Sequence, residues 1–326
     1  MKKLILCLKV FVVFCVSAAK LQPAADVGSE TNKAHAAAII ARAVEKQDPA
    51  AIFELGFMRW KEARAKGMSV EQFIDTSVFA MVKVSAQRGY GPSCAMVGDM
   101  LMECSATNDV RRKDALYWLA RAAKRHNVFS MVRLGKFHCY GGYGESRPER
   151  GVAYLRQAAS LDSPEAYLLL GECHERGIGV STNAVEAFNC YTKAADLGDA
   201  VALYKIGCCH EFGIGTERNV AAAFRAYEQC AQAGEPVGLY ELGVALAWGR
   251  GCDQDLGRAA QCFKEAAEMH YALGAYALGA CYEWGRGVEK DPDRAMELYA
   301  TAAETGEEWI VQKLKSSRLW LERNEK

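Results

Sequence analysis

Apolar and small residues recur along this chain at helical spacing, most regularly from Pro164 to Gly198. Ala166 and Leu170 are four residues apart in the first half of this segment, and Ala187 and Tyr191 are four apart in the second. That spacing places both members of each pair on one face of a helix. A Gly-Ile-Gly turn lies between the halves. The segment therefore predicts two helices joined by a glycine-rich turn.

The same frame recurs about every 36 residues, and four independent markers follow it. A glycine lies in the middle of the first helix at Gly98, Gly135, Gly171, Gly207, Gly243 and Gly279. Paired small residues lie in the second helix at Ala122-Ala123, Ala158-Ala159, Ala194-Ala195, Cys230-Ala231, Ala266-Ala267 and Ala302-Ala303. Paired turn glycines lie at Gly177/Gly179, Gly213/Gly215, Gly249/Gly251 and Gly285/Gly287, and the second helix opens at Asn183, Asn219, Asp255 and Asp291. The markers predict an all-α fold, a right-handed α-α superhelix built as a solenoid of helix–turn–helix repeats.

Each marker has a physical reason. Small residues in the middle of a helix let neighbouring helix axes approach closely. Turn glycines adopt positive φ and end the first helix. Asn or Asp at a helix start accepts hydrogen bonds from the first backbone N–H groups. We expect the apolar residue before each mid-helix glycine to fill the space between layers; Leu170, Ile206, Leu242 and Leu278 occupy this position.

The markers divide the chain into five predicted regions. They are a signal peptide (1–19), a linker with an N-terminal helix (20–48), a degenerate capping repeat (49–91), six repeats (92–306) and a C-terminal capping helix (307–326). In the degenerate repeat, the second helix is predicted from about Ser69 to Arg88. In the closing helix, Trp309, Ile310, Leu314 and Leu319 are expected to cover the last open face, as the ends of a solenoid require.

The N-terminus predicts export. Lys2 and Lys3 precede an apolar run from Leu4 to Val16 that only Lys9 interrupts, and small residues follow it. This order of segments is typical of a signal peptide, and the run is short for a membrane span. We expect a periplasmic or secreted protein without membrane insertion after cleavage; an uncleaved anchor and an apolar stretch without targeting function are the alternatives.

The charge balance argues against one class of function, and the cysteine content leaves two structural interpretations open. The 40 basic residues equal the 40 acidic ones, which argues against a nucleic-acid surface. Of 13 cysteines, 11 lie beyond the predicted signal peptide: Cys94, Cys104, Cys139, Cys173, Cys190, Cys208, Cys209, Cys230, Cys252, Cys262 and Cys281. Disulfides such as Cys173–Cys190 or Cys252–Cys262 are one interpretation for an exported chain. Buried free thiols in small apolar positions are the other.

These markers resemble the Sel-one-like repeat family (SLR), a relative of the tetratricopeptide repeats. The fullest copy contains Gly279, Tyr282, Gly285, Gly287, Val288, Asp291, Arg294, Ala295, Tyr299, Ala302 and Ala303. The resemblance implies a superhelical adaptor used in protein–protein contacts, often in exported bacterial proteins or membrane-associated complexes. The chain departs from the pattern where the usual tyrosine is replaced by His138, His174 and His210. Equivalent residues of stacked repeats lie too far apart to share one metal ion, so we expect packing or hydrogen-bonding histidines and no metal site.

Catalytic motifs were sought because a cysteine-rich branch of that family is associated with penicillin binding. The one Ser-x-x-Lys runs from Ser17 to Lys20 at the end of the predicted signal peptide, and no Lys-Thr-Gly is present. Nucleophile-elbow, zinc-protease and phosphate-loop motifs are also absent from the sequence. We therefore predict a non-enzymatic scaffold without a cofactor; a cell-wall-associated penicillin-binding protein or hydrolase is the alternative.

Two columns of the first helix vary between copies while the core positions keep their residue type. One lies two residues before the mid-helix glycine and the other five after it, so they are two turns apart on the same helix face. The predicted partner-binding residues in these columns are Arg133, Tyr140, Arg176, Lys205, Phe212, Glu241, Trp248 and Trp284. Aromatic residues and arginine dominate interface energies, so we expect a monomer that binds a peptide or protein on its concave surface. In the alternative interpretation, Phe212, Trp248 and Trp284 pack beneath the glycine turns.

Overall fold

The computed structural model describes residues 48–105, 108–141, 147–304 and 308–312, together with the single positions 38, 39, 42, 43, 46 and 315. Within these ranges the regular secondary structure is helical and contains no strand. The described residues form two compact units, one that ends at Leu161 and one that begins at Asp162.

From Pro49 onward, the described residues of the N-terminal unit contain seven helices. They are α1 (Pro49–Ala65), α2 (Val70–Ile74), α3 (Ser77–Gln87), α4 (Gly91–Glu103), α5 (Asp109–Ala123), α6 (Val128–Tyr140) and α7 (Pro148–Ala159). Helices α4 and α5 pack as one pair, and α6 and α7 pack as the next.

Between Asp162 and Glu304, the C-terminal unit contains eight helices. They are α8 (Pro164–Arg176), α9 (Ala184–Asp196), α10 (Ala200–Phe212), α11 (Val220–Gln232), α12 (Pro236–Trp248), α13 (Leu256–Glu268), α14 (Ala272–Trp284) and α15 (Pro292–Ala303). Each even-numbered helix packs against the odd-numbered helix that follows it. The prediction of an all-α solenoid of helix pairs is confirmed.

Local signals end and begin these helices as predicted. Helix α8 ends at Gly177, whose φ of 72° is left-handed, and the backbone N–H of Gly177 donates to the Cys173 carbonyl. Helix α9 begins after Asn183, whose Oδ1 accepts from the Glu186 N–H at 3.1 Å. The same pair of devices recurs in the next three repeats at Gly213 and Asn219, Gly249 and Asp255, and Gly285 and Asp291.

The mid-helix glycines accommodate side chains from the second helix of their own repeat. A Cβ added to Gly243 would lie 2.6 Å from Cε1 of Phe263, and one added to Gly279 would lie 2.9 Å from Cε1 of Tyr299. The covering residues are Leu119, Leu155, Tyr191, Tyr227, Phe263 and Tyr299. The small residue thus holds the helix pair together by making room for a large side chain.

The first hairpin departs from the prediction of one second helix from Ser69 to Arg88. The structure has two helices there, α2 and α3, separated at Asp75 and Thr76. The Thr76 hydroxyl donates to the Phe73 carbonyl at 2.7 Å and accepts from the Phe79 N–H at 3.3 Å. Because this side chain ends one helix and caps the next, it breaks the predicted helix.

Both ends of the chain are described only in part. Positions 38, 39, 42 and 43 are helical, and the predicted signal peptide lies outside the described residues. At the other end, residues 308–312 are helical and Ile310 is fully buried against Ala275 and Ala302. Trp309 is 45% exposed and contacts the edge of Tyr276, while Leu314 and Leu319 lie outside the described residues.

The eleven cysteines beyond the predicted signal peptide are all free thiols. The proposed pairs Cys173–Cys190 and Cys252–Cys262 are therefore not formed, and the buried-thiol interpretation applies. Burial raises the pKa of Cys209 and of Cys230 to about 11 in each case, so both side chains stay protonated at neutral pH. Among the described residues, no helix has the length and apolar character needed to cross a bilayer.

Candidate functional site

Three large aromatic side chains project into solvent from equivalent positions in the C-terminal unit. Phe212, Trp248 and Trp284 are the last residues of α10, α12 and α14, and their exposed fractions are 66%, 64% and 62%. The interpretation that these rings pack beneath the glycine turns is therefore wrong. We call these three residues the aromatic edge.

Two of the helices that carry the aromatic edge, α12 and α14, are apolar on more than one face. Glu241 is the one charged residue of α12, and Glu283 is the one charged residue of α14. Their partner α13, by contrast, buries Ala259 and Phe263 and turns its charged residues to solvent. A helix that is apolar all round normally has neighbours on every side. At the C-terminal ends of α12 and α14, no described residue buries the side chains of Trp248 and Trp284.

A tyrosine of the second helix and a glutamate of the first are joined in three of the four repeats. The hydroxyl of Tyr191 donates to Glu175 at 2.5 Å, that of Tyr227 to Glu211 at 2.8 Å and that of Tyr299 to Glu283 at 2.6 Å. Burial and the neighbouring carboxylate raise the pKa of Tyr191, so its hydroxyl remains a donor. The hydrogen bond holds each tyrosine ring over the mid-helix glycine, and in two of the three pairs the glutamate directly precedes a residue of the aromatic edge, Phe212 or Trp284.

Helical periodicity does not predict this pairing, although the residues in the two columns change together between repeats. The remaining repeat of the C-terminal unit has Phe263 opposite Ala247, so hydroxyl and carboxylate are lost together. The same columns of the N-terminal unit have Leu119 with Met102 and Leu155 with Cys139. Comparing these two columns across all copies would have indicated a contact.

The column two residues before the glycine carries opposite charges in successive repeats. Lys205 of α10 lies 3.2 Å from the Glu175 carboxylate and 5.7 Å from the centre of the Tyr191 ring. One repeat later the column holds Glu241, which is partly exposed and has no hydrogen bond among the described residues. Burial and the facing Glu211 raise the pKa of Glu241 to about 7, and Arg250 opposes that shift.

Glu211 is the shared acceptor of this region. Its side chain accepts from Tyr227 on one oxygen and from the Arg250 guanidinium at 2.6 Å on the other. The Arg250 guanidinium therefore contacts the Glu211 carboxylate and also acts electrostatically on that of Glu241. When both are ionised, one negative charge remains uncompensated. Arg176, the equivalent of the aromatic residues in the first repeat of this unit, is exposed.

The predicted residues of the N-terminal unit lie in a different environment. Arg133 pairs with Asp99 at 2.6 Å, and its guanidinium lies 5.9 Å from the centre of the Phe129 ring. Tyr140 is the last residue of α6 and is 39% exposed. An open cavity of about 300 Å³ lies nearby, and its apolar lining comes mainly from Phe53, Phe57, Trp60, Met96, Met100 and Phe129.

The histidine column has a structural role. The carbonyls of His174 and His210 accept from the N–H groups of Asn183 and Asn219 at 2.9 and 2.7 Å, which closes each turn onto the first helix. The His210 ring meets the edge of Phe188 at 5.4 Å between centres, and the His138 ring stacks on Tyr154 at 6.1 Å. The described residues contain no group of three His, Cys, Asp or Glu side chains suited to a metal.

Comparison with solved structures supports the architecture. A Sel1 repeat protein from Oxalobacter formigenes is 25% identical with a TM-score of 0.68, covering 94% of this chain and 85% of that chain. The antigen c5321 of uropathogenic Escherichia coli, described as displaying an SLR fold, is 25% identical with a TM-score of 0.66. That match covers 83% of this chain and 56% of the antigen.

One curated relative matches over a shorter region. It is the "Putative ERAD-associated E3 ubiquitin-protein ligase component" of Schizosaccharomyces pombe, 29% identical over 101 residues. The match spans 31% of this chain and 14% of the yeast protein.

The family model for the Sel1 repeat matches six consecutive segments of this chain. They are residues 84–127, 128–163, 164–199, 200–235, 236–271 and 272–306. Together they cover well over half of the sequence, and Sel1 repeat proteins are generally protein-interaction scaffolds. The chain belongs to the Sel1 repeat family.

Proposed function

We propose that this protein is a non-enzymatic scaffold that binds a segment of another protein along the first helices of its repeats. The observation that carries the proposal is the aromatic edge, Phe212, Trp248 and Trp284, which is more than 60% exposed in three consecutive repeats. Exposed apolar side chains grouped in this way are typical of interaction sites. Arg176, Lys205 and Glu241 belong to the same two columns of the C-terminal unit and extend the proposed surface there, and Arg133 and Tyr140 are the proposed binding residues of the N-terminal unit.

Aromatic side chains supply large contact areas at low entropic cost, and tryptophan and tyrosine are enriched among the residues that dominate binding energy. The rings of the aromatic edge contribute little to the fold because most of their surface is already in water. They are therefore available to a partner without rearrangement of the helices. The apolar character of α12 and α14 favours a partner that covers part of these helices as well.

The test compares F212A/W248A/W284A with wild type. Peptides are first selected on the wild-type protein from a displayed random 12-residue library, and their Kd values are then measured for both proteins. We expect at least a tenfold loss of affinity, equivalent to about 1.4 kcal/mol. The helical circular dichroism signal should stay near the wild-type value.

Tyr117→Ala is the matched control, because Tyr117 is 56% exposed but lies on α5, a second helix. The Tyr117→Ala protein should bind the selected peptides with the same Kd as wild type. Peptides that bind the triple variant as tightly as wild type would contradict the proposed function.

We also propose that the protein is exported, periplasmic or secreted, and acts as a monomer. The basic start and apolar run of residues 1–19 support export. Buried thiols react slowly, so the free cysteines are compatible with an oxidising compartment. N-terminal sequencing of the fractionated protein tests this, since an intact Met1 in the cytosol contradicts it. Light scattering tests the monomer.

The proposal of a non-enzymatic protein has its own test against the cell-wall alternative. The sequence lacks the serine and lysine motifs that penicillin-binding enzymes use, apart from Ser17–Lys20 near the N-terminus. We expect no nitrocefin turnover and no labelling by fluorescent penicillin. Labelling that unlabelled penicillin competes away would establish the alternative.

A further inference from the structure

Glu241 has an unusual position on α12, the helix that ends at Trp248 of the aromatic edge. It is the only charged residue of α12, it faces solvent in part, and its carboxylate has no hydrogen bond among the described residues. The other charged residue on these apolar helices, Glu283, accepts from Tyr299 at 2.6 Å. A carboxylate on an apolar face is costly unless a cation or a donor compensates it.

The preceding repeat shows how this position is compensated elsewhere in the protein. There the column holds Lys205, which pairs with Glu175 of the repeat before it at 3.2 Å and lies over the Tyr191 ring. One repeat later, Glu211 and Tyr227 are the equivalents of Glu175 and Tyr191. The position equivalent to Lys205 is occupied by Glu241. The later repeat therefore keeps the carboxylate and the aromatic ring that bind Lys205 in the earlier one, but it has no lysine of its own at this position.

Arg250 compensates this region only in part. Its guanidinium is 44% exposed and contacts Glu211 at 2.6 Å, while Glu211 itself is 11% exposed at its side chain. One cation against two carboxylates leaves a negative charge on the helices that end at Phe212 and Trp248, with Glu211 next to Phe212 in the chain and Glu241 two turns before Trp248. A partner that covers this region would desolvate the charge, and a cation on the partner would offset the cost of that desolvation.

We propose that the partner segment carries a lysine or arginine between large apolar residues, and that this basic side chain binds at Glu241 while the apolar residues cover the aromatic edge. The inference rests on the proposed function and names the chemistry of its partner. Charge complementarity decides the occupant: an apolar segment without a cation leaves Glu241 buried and unpaired, and an acidic one adds repulsion from Glu211.

The test is a charge-reversal experiment with the full-length protein. A displayed random 12-residue library is selected in parallel on wild type and on E241K. Sequences enriched by wild type should contain Lys or Arg flanked by large apolar residues, and those enriched by E241K should not. The best wild-type peptide should bind E241K at least tenfold more weakly, and its Lys→Glu version should regain at least tenfold on E241K.

Glu297→Lys is the control, because it makes the same charge change at an exposed position of α15, away from the first helices. It should leave the enriched motif and the Kd unchanged. The same basic motif enriched by wild type and by E241K would overturn the inference. Peptides that lose affinity with F212A/W248A/W284A but show no basic preference would overturn it while leaving the proposed function standing. Peptides with the same Kd for F212A/W248A/W284A as for wild type would overturn both the inference and the proposed function.

The pH dependence of binding gives a second measurement. The groups that face Glu241 are Glu211, Arg250, Tyr204, Cys208, Tyr240 and Tyr271. Because the pKa of Glu241 is about 7 and a bound cation requires the ionised form, the Kd should be about fivefold to tenfold weaker at pH 6 than at pH 8. E241Q should abolish that difference; a wild-type Kd independent of pH would contradict the inference.

Discussion

Single residues set the spacing of each helix pair. Gly207 lies under the Tyr227 ring, whose hydroxyl in turn reaches Glu211 at 2.8 Å, so a glycine, a tyrosine and a glutamate act together. Removing the ring or filling the space beneath it should disturb the same contact. The hydroxyl and the carboxylate depend on each other because a buried tyrosine hydroxyl needs an acceptor.

The first prediction compares two glycine-to-alanine variants. G207A places a methyl group against the Tyr227 ring and should destabilise the protein by about 1–3 kcal/mol. Gly257 lies in α13 at an exposed position, where an added Cβ meets only Asp255 Oδ1, at 3.6 Å. G257A should therefore be neutral or stabilise by up to about 1 kcal/mol through helix propensity. Urea unfolding measures both, and equal effects would contradict the packing role of Gly207.

Whole helices are delimited by caps that repeat along the C-terminal unit. The N-cap side chain before each second helix accepts a backbone N–H two or three residues into the helix, at 2.9–3.1 Å. In the turn, the Asn219 N–H also donates to the His210 carbonyl at 2.7 Å, which fixes the second helix relative to the first. The side chain and the backbone of one residue thus hold both helices.

These two contributions can be separated at Asn219. N219A removes the side-chain cap of α11, a hydrogen bond of 2.9 Å to Ala222, and keeps the backbone bond to His210. We expect a loss of about 1 kcal/mol in the free energy of unfolding. N219D preserves the acceptor and should stay within about 0.5 kcal/mol of wild type. A loss as large in N219D would show that the acceptor oxygen is not responsible.

At the scale of the whole molecule, packing between neighbouring helices stabilises the fold, and no disulfide joins the cysteines that the structure describes. The core of the C-terminal unit is formed by side chains such as Leu242, Leu246 and Phe263, which successive helices bury together. The cysteines belong to this packing: Cys281 is buried in the same cluster. Because a free thiol behaves as a small apolar residue, it fills the core without a bond.

The thiols allow a test of the whole molecule. Alkylation after unfolding without a reducing agent should label Cys94 through Cys281 at all eleven positions, as counted by mass spectrometry. The native protein should react much more slowly, since most of these side chains are buried. Dithiothreitol should leave the Tm unchanged. An unlabelled pair, or a Tm lowered by the reductant, would reveal a disulfide.

The sequence by itself determined the repeat, the helix pairs and their ends. Asn183 caps its helix and Gly177 ends the one before, because capping and positive φ depend on residues close together in the chain. The same local physics, once the Thr76 hydroxyl is considered, explains the break between α2 and α3 that the periodic pattern concealed.

Only the tertiary structure decided which side of a helix end meets water. Phe212 and Tyr227 are both large aromatic residues at regular positions, yet one is 66% exposed and the other is 3% exposed. The difference depends on the first helix of the same repeat, which places Glu211 at the Tyr227 hydroxyl and Gly207 beneath the Tyr227 ring, 16 and 20 positions away in the chain. Burial is a property of the assembled layers, so periodicity alone leaves it open.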